Sequence, residues 1–379
     1  MTKKIVFVNQ STGYLTIDII NAFAKEYDVV DLLYGEIRVQ DIEIDSKVRK
    51  RRIGKKSRVS HVRRFIAWFF ASIQTFFILL FRYRRYEIFY VSLPPFAYLS
   101  SLLLPNKFSL LMFDVYPDVL KMLNIKETNF IYRIWVRWNK KLFTRAHRVY
   151  TIGDSLADLM AQYAPREKIS VIPLWTGLAD VHPVAKTQNP FVQEYRLQDK
   201  FIVQYSGNIG GTHNIEVLIE AAKLLKDQKD ILFLIIGRGL KVPLVNRLIE
   251  EYALDNCMVL PFQPDNVIRY SIAAADISVV LIEEKIADVS IPSKVYNIMA
   301  VGSSIMSISP ASSEINKLVK HYNIGANFNK DEVAQMADYI LQLKNSPALK
   351  QQYSNNAVEA AKNYTAANAD QYLAIYKEN

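Results

Sequence analysis

Short apolar runs recur along the chain, and between them lie segments in which apolar residues return every three or four positions. IVFVN (5–9), DVVDLLY (28–34), EIFYVS (87–92), FSLLMFD (108–114), RVYTIG (148–153) and ISVIPL (169–174) predict strands in the first half. FIVQYSG (201–207), ILFLIIG (231–237), MVLPF (258–262), ISVVLI (277–282) and SIMSIS (304–309) do so in the second. IEVLIEAAKLLKD and VPLVNRLIEEYAL, between those runs, carry helix spacing. Continuous apolar strands separated by helices mean parallel sheets covered on both faces. The polar break LADVHPVAKTQNPFVQEYRLQDK (178–200) reads as a linker. The pattern therefore predicts an α/β chain of two Rossmann-like domains facing across a cleft. The first covers 1–180 and the second 198–360, with a last helix over 361–379 able to pack back on the first.

Composition fits that picture. A chain of 379 residues, half of them hydrophobic, can fill two cores. A single cysteine, Cys257, excludes an internal disulfide and suits a reducing compartment. The opening MTKKIVFVNQST is too short in its apolar run for a signal peptide and reads as a first strand, so a cytosolic protein is expected.

Charge changes the picture more. The net charge is +10, and residues 47–86 hold 13 cations and no acid, against 34 basic and 37 acidic residues elsewhere. Within that segment FIAWFFASIQTFFILLF (65–81) is uncharged over 17 residues. A spanning helix needs roughly 20. A core helix, a helix lying in a membrane interface and a true span all remain open. Nucleic acid accounts for the basic half of this segment but no recognition motif accompanies it. An anionic membrane surface accounts for both halves.

Open α/β sheets bind ligands beyond the carboxyl ends of their strands, so residues there carry the candidate chemistry. FIVQYSGNIGGTHNIEVL (201–218) is strand, glycine loop, then helix, and Gly207, Asn208, Gly210, Gly211 and Thr212 would let a phosphate approach backbone N–H groups. An ordinary turn capped by Thr212 is the alternative. Arg238 directly follows a strand, either as a solvated loop residue or as a second phosphate contact. SIPSKVYNIMAVG (290–302) opens a helix with Ser293 and Lys294; Ser293 suits a cap, whereas a cation at that end of a helix calls for an anion nearby. The three converge on a diphosphate. In the first half Asp114 ends a strand before Pro117, either as a turn former or as a carboxylate that accepts a proton or orients a sugar. Asp118 reads as a first-turn helix carboxylate, and Gly13 lines the loop after the first strand. The five histidines show no metal spacing, no D-x-D tripeptide occurs, and GxSxG, GxGxxG and Walker patterns are absent. A metal-independent chemistry without cofactor is expected.

YSGNIGG with its helix, FLIIGRG, VLPFQPDNVIRYSIAAADISVV and SIPSKVYNIMAVGSSIMSIS followed by SSEI resemble, in order and spacing, the GT-B glycosyltransferases of family 4. FDVYPD is similar to the D-x-x-P stretch of the same group, and P-S-K-x-Y before M-A-x-G marks a subgroup that includes amino-sugar transferases. The resemblance implies a retaining transferase in bacterial capsule, exopolysaccharide or O-antigen assembly. Its donor would be a nucleotide-diphosphate sugar, UDP-linked by expectation, and its acceptor a lipid-linked saccharide at the inner face of the membrane. Gly207, Asn208, Arg238, Ser293 and Lys294 would hold the diphosphate, Asn297 would lie near the ribose, Phe262 in the 260–264 loop near the base, and Tyr296 would also bind the donor. Asp114 and Lys294 would carry the chemistry. In the family's Glu-x7-Glu pattern Asn297 stands at the second glutamate and Val289 at the first, and the basic residue after the GN loop is replaced by nearby His213. Those departures keep two alternatives open, a UDP-sugar 2-epimerase of the same fold and an inactive membrane- or partner-binding subunit.

Overall fold

A computed structural model describes residues 2–38, 42–55, 61–123, 125–178, 180–210, 213–282, 284 and 292–378. The chain divides into two compact units, one of residues 1–174 with 366–379 and one of residues 175–365.

The first unit contains β1 (Lys4–Thr12), α1 (Tyr14–Ala24), β2 (Val29–Ile37), β3 (Val48–Arg52), α2 (His61–Arg82), β4 (Glu87–Val91), β5 (Phe108–Leu111), α3 (Phe130–Arg145), β6 (Val149–Thr151), α4 (Asp154–Met160) and β7 (Ile169–Val171). Its seven strands lie in the order β3-β2-β1-β4-β5-β6-β7, all parallel. Alternation along each strand sorts the side chains to two covered faces. Phe7 and Phe89 stack at 4.9 Å on one face, where Phe23 of α1 meets them edge-on. On the other, Tyr90 Oη bonds Ser100 and Ser101 of the 3₁₀ turn Ala97–Leu102 at 2.8 and 3.0 Å. Trp135 of α3 donates to Tyr98 Oη at 2.8 Å, and Tyr98 donates to Asn139 at the same distance. Helix α2 joins this face through Phe65 against Phe96 and Trp68 against Tyr116.

The second unit contains α5 (Pro190–Tyr195), β8 (Phe201–Asn208), α6 (Glu216–Leu224), β9 (Ile231–Arg238), α7 (Val242–Glu251), β10 (Cys257–Leu260), α8 (Asp265–Ala273), β11 (Ile277–Leu281), α9 (Lys294–Ala300), β12 (Ser304–Ile308), α10 (Glu314–Tyr322), β13 (Gly325–Phe328), α11 (Val333–Asn345) and α12 (Pro347–Ala361). Its six parallel strands run β10-β9-β8-β11-β12-β13. Val203, Tyr205, Phe233 and Ile235 pack with residues of α6 and α11. Ile202, Leu232, Leu234 and Ile236 pack with Phe191 and Val192 of α5 and with residues of α8. A final helix, α13 (Asn368–Lys377), belongs to the first unit, where Tyr376 reaches Phe23 and Phe89.

Each predicted strand forms, but two more exist. β3 is VRKRR, an edge strand with only Val48 buried, and β13 is the short GANF. Neither has an apolar run to read. The break expected at 178–200 is no free linker. The boundary between units falls at 174/175, and α5 buries Phe191 and Val192 in the second unit's core. Asn189 caps α5 by accepting from the Phe191 and Val192 N–H groups, a helix of six residues being too short to show periodicity.

Candidate functional site

In the second unit the chain steps from β8 outward to β9 on one side and, later, to β11 on the other. Such a reversal opens a crevice at the carboxyl ends of the two central strands. A cavity of about 140 Å³ lies there, lined by Gln204, Ser206 and Gly207 of β8, Ser278 and Val279 of β11, Ile268 and Ile272 of α8, Lys294, Asn297 and Ile298 of α9, and Phe262.

Lys294 supplies the charge. Its Nζ donates to the Ser206 carbonyl at 3.2 Å and sits 4.3 Å from the centre of the Tyr205 ring. Among the described residues no carboxylate pairs with it. Burial pulls its pKa down to about 8, because a charged ammonium is poorly solvated there. Gly207 leaves the way to it open. The residue has φ +153°, a conformation side chains rarely adopt, and a Cβ there would stand 3.6 Å from Lys294 Nζ. Gly237, absent from the sequence-based set, brings β9 against β8, since a Cβ on it would lie 2.0 Å from the Gly207 carbonyl oxygen.

Asn208 and Arg238 are register partners at the ends of β8 and β9, and both are exposed. The Arg238 guanidinium lies 5.4 Å from the centre of the Phe262 ring, so a cation and an aromatic face form one rim of the crevice. Asn297 Oδ1 accepts from Thr176 Oγ1 at 2.6 Å, which fixes its amide on the cavity wall. Gln204 was not foreseen either. It is buried, it lines the cavity, and its Oε1 has no hydrogen-bond partner among the described residues. Its place is set by strand alternation next to Ser278, its register partner.

Two predicted residues fall elsewhere. Tyr296 is buried against Tyr364 at 4.6 Å, one residue round the helix from Asn297 and absent from the cavity lining. Its place in the donor site is corrected to a core position. Ser293 is exposed and its side chain makes no cap bond, so the capping expected of it does not occur. Gly211, Thr212 and Val289 lie outside the described residues. A larger cavity, about 550 Å³, lies beyond β11, β12 and β13. His213, Asn214, Ser309, Lys330 and Glu332 line it, and of the residues singled out from the sequence it takes in His213.

In the first unit Asp114 is exposed just after β5, between half-buried Phe113 and buried Val115. Asp118 is a structural hub instead. Its buried carboxylate accepts from Tyr132 Oη at 2.9 Å and from Tyr163, and it pairs with Lys121 at 3.1 Å.

With this geometry in view, comparison with known proteins places the second unit. Residues 187–360 match the family model of glycosyl transferases group 1. The matched residues make up most of the second unit. Probable glycosyltransferase WbjE of Pseudomonas aeruginosa is 28% identical over 246 residues, which cover 62% of this chain and 60% of that protein. The putative colanic acid biosynthesis glycosyl transferase WcaI of Escherichia coli is 29% identical over 41% of this chain, so the chain spans about 39–60% of the length of these two relatives. Among solved structures WaaG, a glycosyltransferase involved in lipopolysaccharide biosynthesis, superposes with TM-score 0.71 at 14% identity, over 99% of this chain and 100% of that one. The fold is that of the GT-B group, as the sequence resemblance implied. Anabaena Alr3699/HepE in complex with UDP gives 0.72 at 15% identity over 98% of both chains.

Proposed function

We propose that the second unit is a group 1 glycosyltransferase domain that binds a nucleotide-diphosphate sugar, a UDP-sugar, and that the protein transfers its sugar with retention to a lipid-linked saccharide in bacterial surface polysaccharide assembly. The observation that carries this reading is Lys294, a half-buried lysine with no carboxylate partner among the described residues, lining the cavity beside β8 and β11. An anion of matching charge is what that ammonium lacks. Similarity to a probable glycosyltransferase, to a putative colanic acid biosynthesis glycosyl transferase and to a structure solved with UDP supports the choice of donor.

On this reading Lys294 and Arg238 carry the diphosphate charge. As the glycosidic bond to the donor breaks, negative charge grows on the leaving phosphate oxygen. A fixed ammonium in a poorly solvated site stabilises it without reorganising. Gly207 lets the phosphate approach, Asn297 and Gln204 offer amide groups to the nucleoside, and Asn208 and Phe262 border it. Exposed Asp114 we assign to the acceptor, as a carboxylate that takes or orders a hydroxyl proton. The diphosphate charge is met by side chains, and no metal or cofactor is invoked.

Helix α2 adds a location. Within Arg63–Arg82 an 18-residue run has mean hydropathy 1.7, yet only 22% of that run is buried. Ala71, Thr75 and Leu79 are buried within the first unit while Phe69, Phe70, Phe77 and Phe81 are exposed. A helix packed along one side and bare along the other suits an interface better than a core or a span. We assign it to the inner membrane surface, where a lipid-linked acceptor is found.

Calorimetry with UDP, GDP and dTDP tests the donor site. Binding of UDP by the wild type and its loss in Lys294→Ala are expected; absence of nucleotide binding by the wild type would overturn the reading. Incubation with UDP-N-acetylglucosamine alone should leave the sugar unchanged, since isomerised product would make the protein an epimerase.

A further inference from the structure

The foot of α2 carries a second positively charged cavity. About 520 Å³ in volume, it is lined by Asp31, Arg49, Lys50, Arg51, Arg82, Tyr83 and Tyr86. Arg49 grips the one carboxylate in that lining through two bonds, Nε to Oδ1 at 2.9 Å and Nη2 to Oδ2 at 2.6 Å, and also donates to Tyr86 Oη at 2.9 Å. Asp31 is thereby neutralised. Lys50, Arg51 and Arg82 add three positive charges with no second acid in the lining.

The cavity lies at the carboxyl end of α2, whose other side is bare. Ile66, Phe69, Phe70, Ile73, Phe77 and Phe81 are exposed, up to 64% for Phe70 and 75% for Phe81. Their spacing of three and four places them on one side of the helix, over roughly 22 Å at 1.5 Å per residue. Arg82, which lines the cavity, follows Phe81 at the end of the stripe but stands about 100° round the helix from it, on the side of Thr75 and Leu79. Isolated apolar side chains on a surface are ordinary; a continuous stripe of six is an interaction site. Charge decides what covers it, because residues 47–86 hold 13 cations and no acid.

We propose that this cavity seats the phosphate of an anionic phospholipid headgroup while the α2 stripe lies among the acyl chains beside it. The proposal rests on the membrane assignment above and deepens it by naming the lipid class and the residues that select it. A guanidinium pair and an ammonium around one concavity suit a phosphodiester. An RNA would use the cations and leave the apolar stripe bare.

Co-sedimentation of the full-length protein with phosphatidylcholine vesicles, with and without phosphatidylglycerol, tests it. The triple variant Lys50→Ala, Arg51→Ala, Arg82→Ala should lose about a hundredfold in partition to the anionic vesicles, at about fivefold per charge, and match the wild type on phosphatidylcholine alone. A matched triple outside the cavity, Lys47→Ala, Arg84→Ala, Arg85→Ala, should lose clearly less. Equal losses in the two triples would overturn the cavity while leaving the membrane assignment standing. Failure of the wild type to bind any vesicle would overturn that assignment itself. The variant Phe69→Ser, Phe70→Ser, Phe77→Ser should bind neither vesicle, and its unfolding temperature should stay unchanged because these rings are exposed. Tighter binding of single-stranded RNA than of vesicles, with the same dependence on Lys50, Arg51 and Arg82, would also overturn the headgroup site.

Discussion

Two positively charged regions of this molecule work in opposite ways. At Lys294 a single ammonium is half-buried at the end of a parallel sheet, held by one carbonyl and one ring, and its pKa is pulled down to about 8. Around β3 and α2 many cations stand in water beside exposed aromatic rings. Each exposed charge is weakened by solvent and salt, so that region gains strength only by number. The half-buried one acts alone but in a medium where charge counts for more. One arrangement suits a reaction centre and the other a broad anionic surface.

The largest difference should come from deleting each. Lys294→Ala is expected to lower kcat by roughly 10²–10³-fold, the range for losing one fixed charge-stabilising group. Its unfolding temperature should match or exceed the wild type's, because a half-buried lysine with a lowered pKa opposes folding below the ordinary lysine range. The triple variant at Lys50, Arg51 and Arg82 should leave transfer to a soluble acceptor unchanged. Near-normal turnover in Lys294→Ala would break the distinction.

Salt and pH sharpen it further. Vesicle binding should fall steeply as ionic strength rises through 0.1 M, where the screening length is about 10 Å, while UDP affinity should change far less. With pH the order reverses. Lys294 loses its proton as pH rises through about 8, and a bound diphosphate favours the charged form. UDP binding should therefore take up protons just above that pH and weaken as pH climbs further. Calorimetry in two buffers of different ionisation heat reads the uptake directly. Vesicle binding, which does not depend on Lys294, should stay flat across the same range.

Much of the fold was legible because parallel strands buried on both faces are written as unbroken apolar runs. β3 escaped because VRKRR is an edge strand whose side chains face water. The α5 helix escaped because six residues show no period. At the site, Gly207, Arg238 and Lys294 were readable from their positions after strands and at a helix start. Gln204 was not, because a polar residue inside an apolar strand gives no sign of which face it joins. Tyr296 misled for the converse reason. It is one position from Asn297 in sequence, yet the helical turn of 100° per residue carries it into the core against Tyr364. Thr176 could not be paired with Asn297 at all, since 121 residues separate them.

That pair gives the smallest effect and the finest test. Thr176 Oγ1 donates to Asn297 Oδ1 and so turns the amide that stands at the second glutamate of the Glu-x7-Glu pattern the sequence resembles. Thr176→Val keeps the shape and removes the donor. One such bond is worth about 1 kcal/mol, which predicts a rise of about fivefold in KM for the donor with kcat almost unchanged. An equal fall in kcat would mean that Asn297 acts on the reacting charge, as Lys294 does. A rise in KM alone would place it where the bond suggests, holding the nucleoside while the Lys294 ammonium faces the diphosphate.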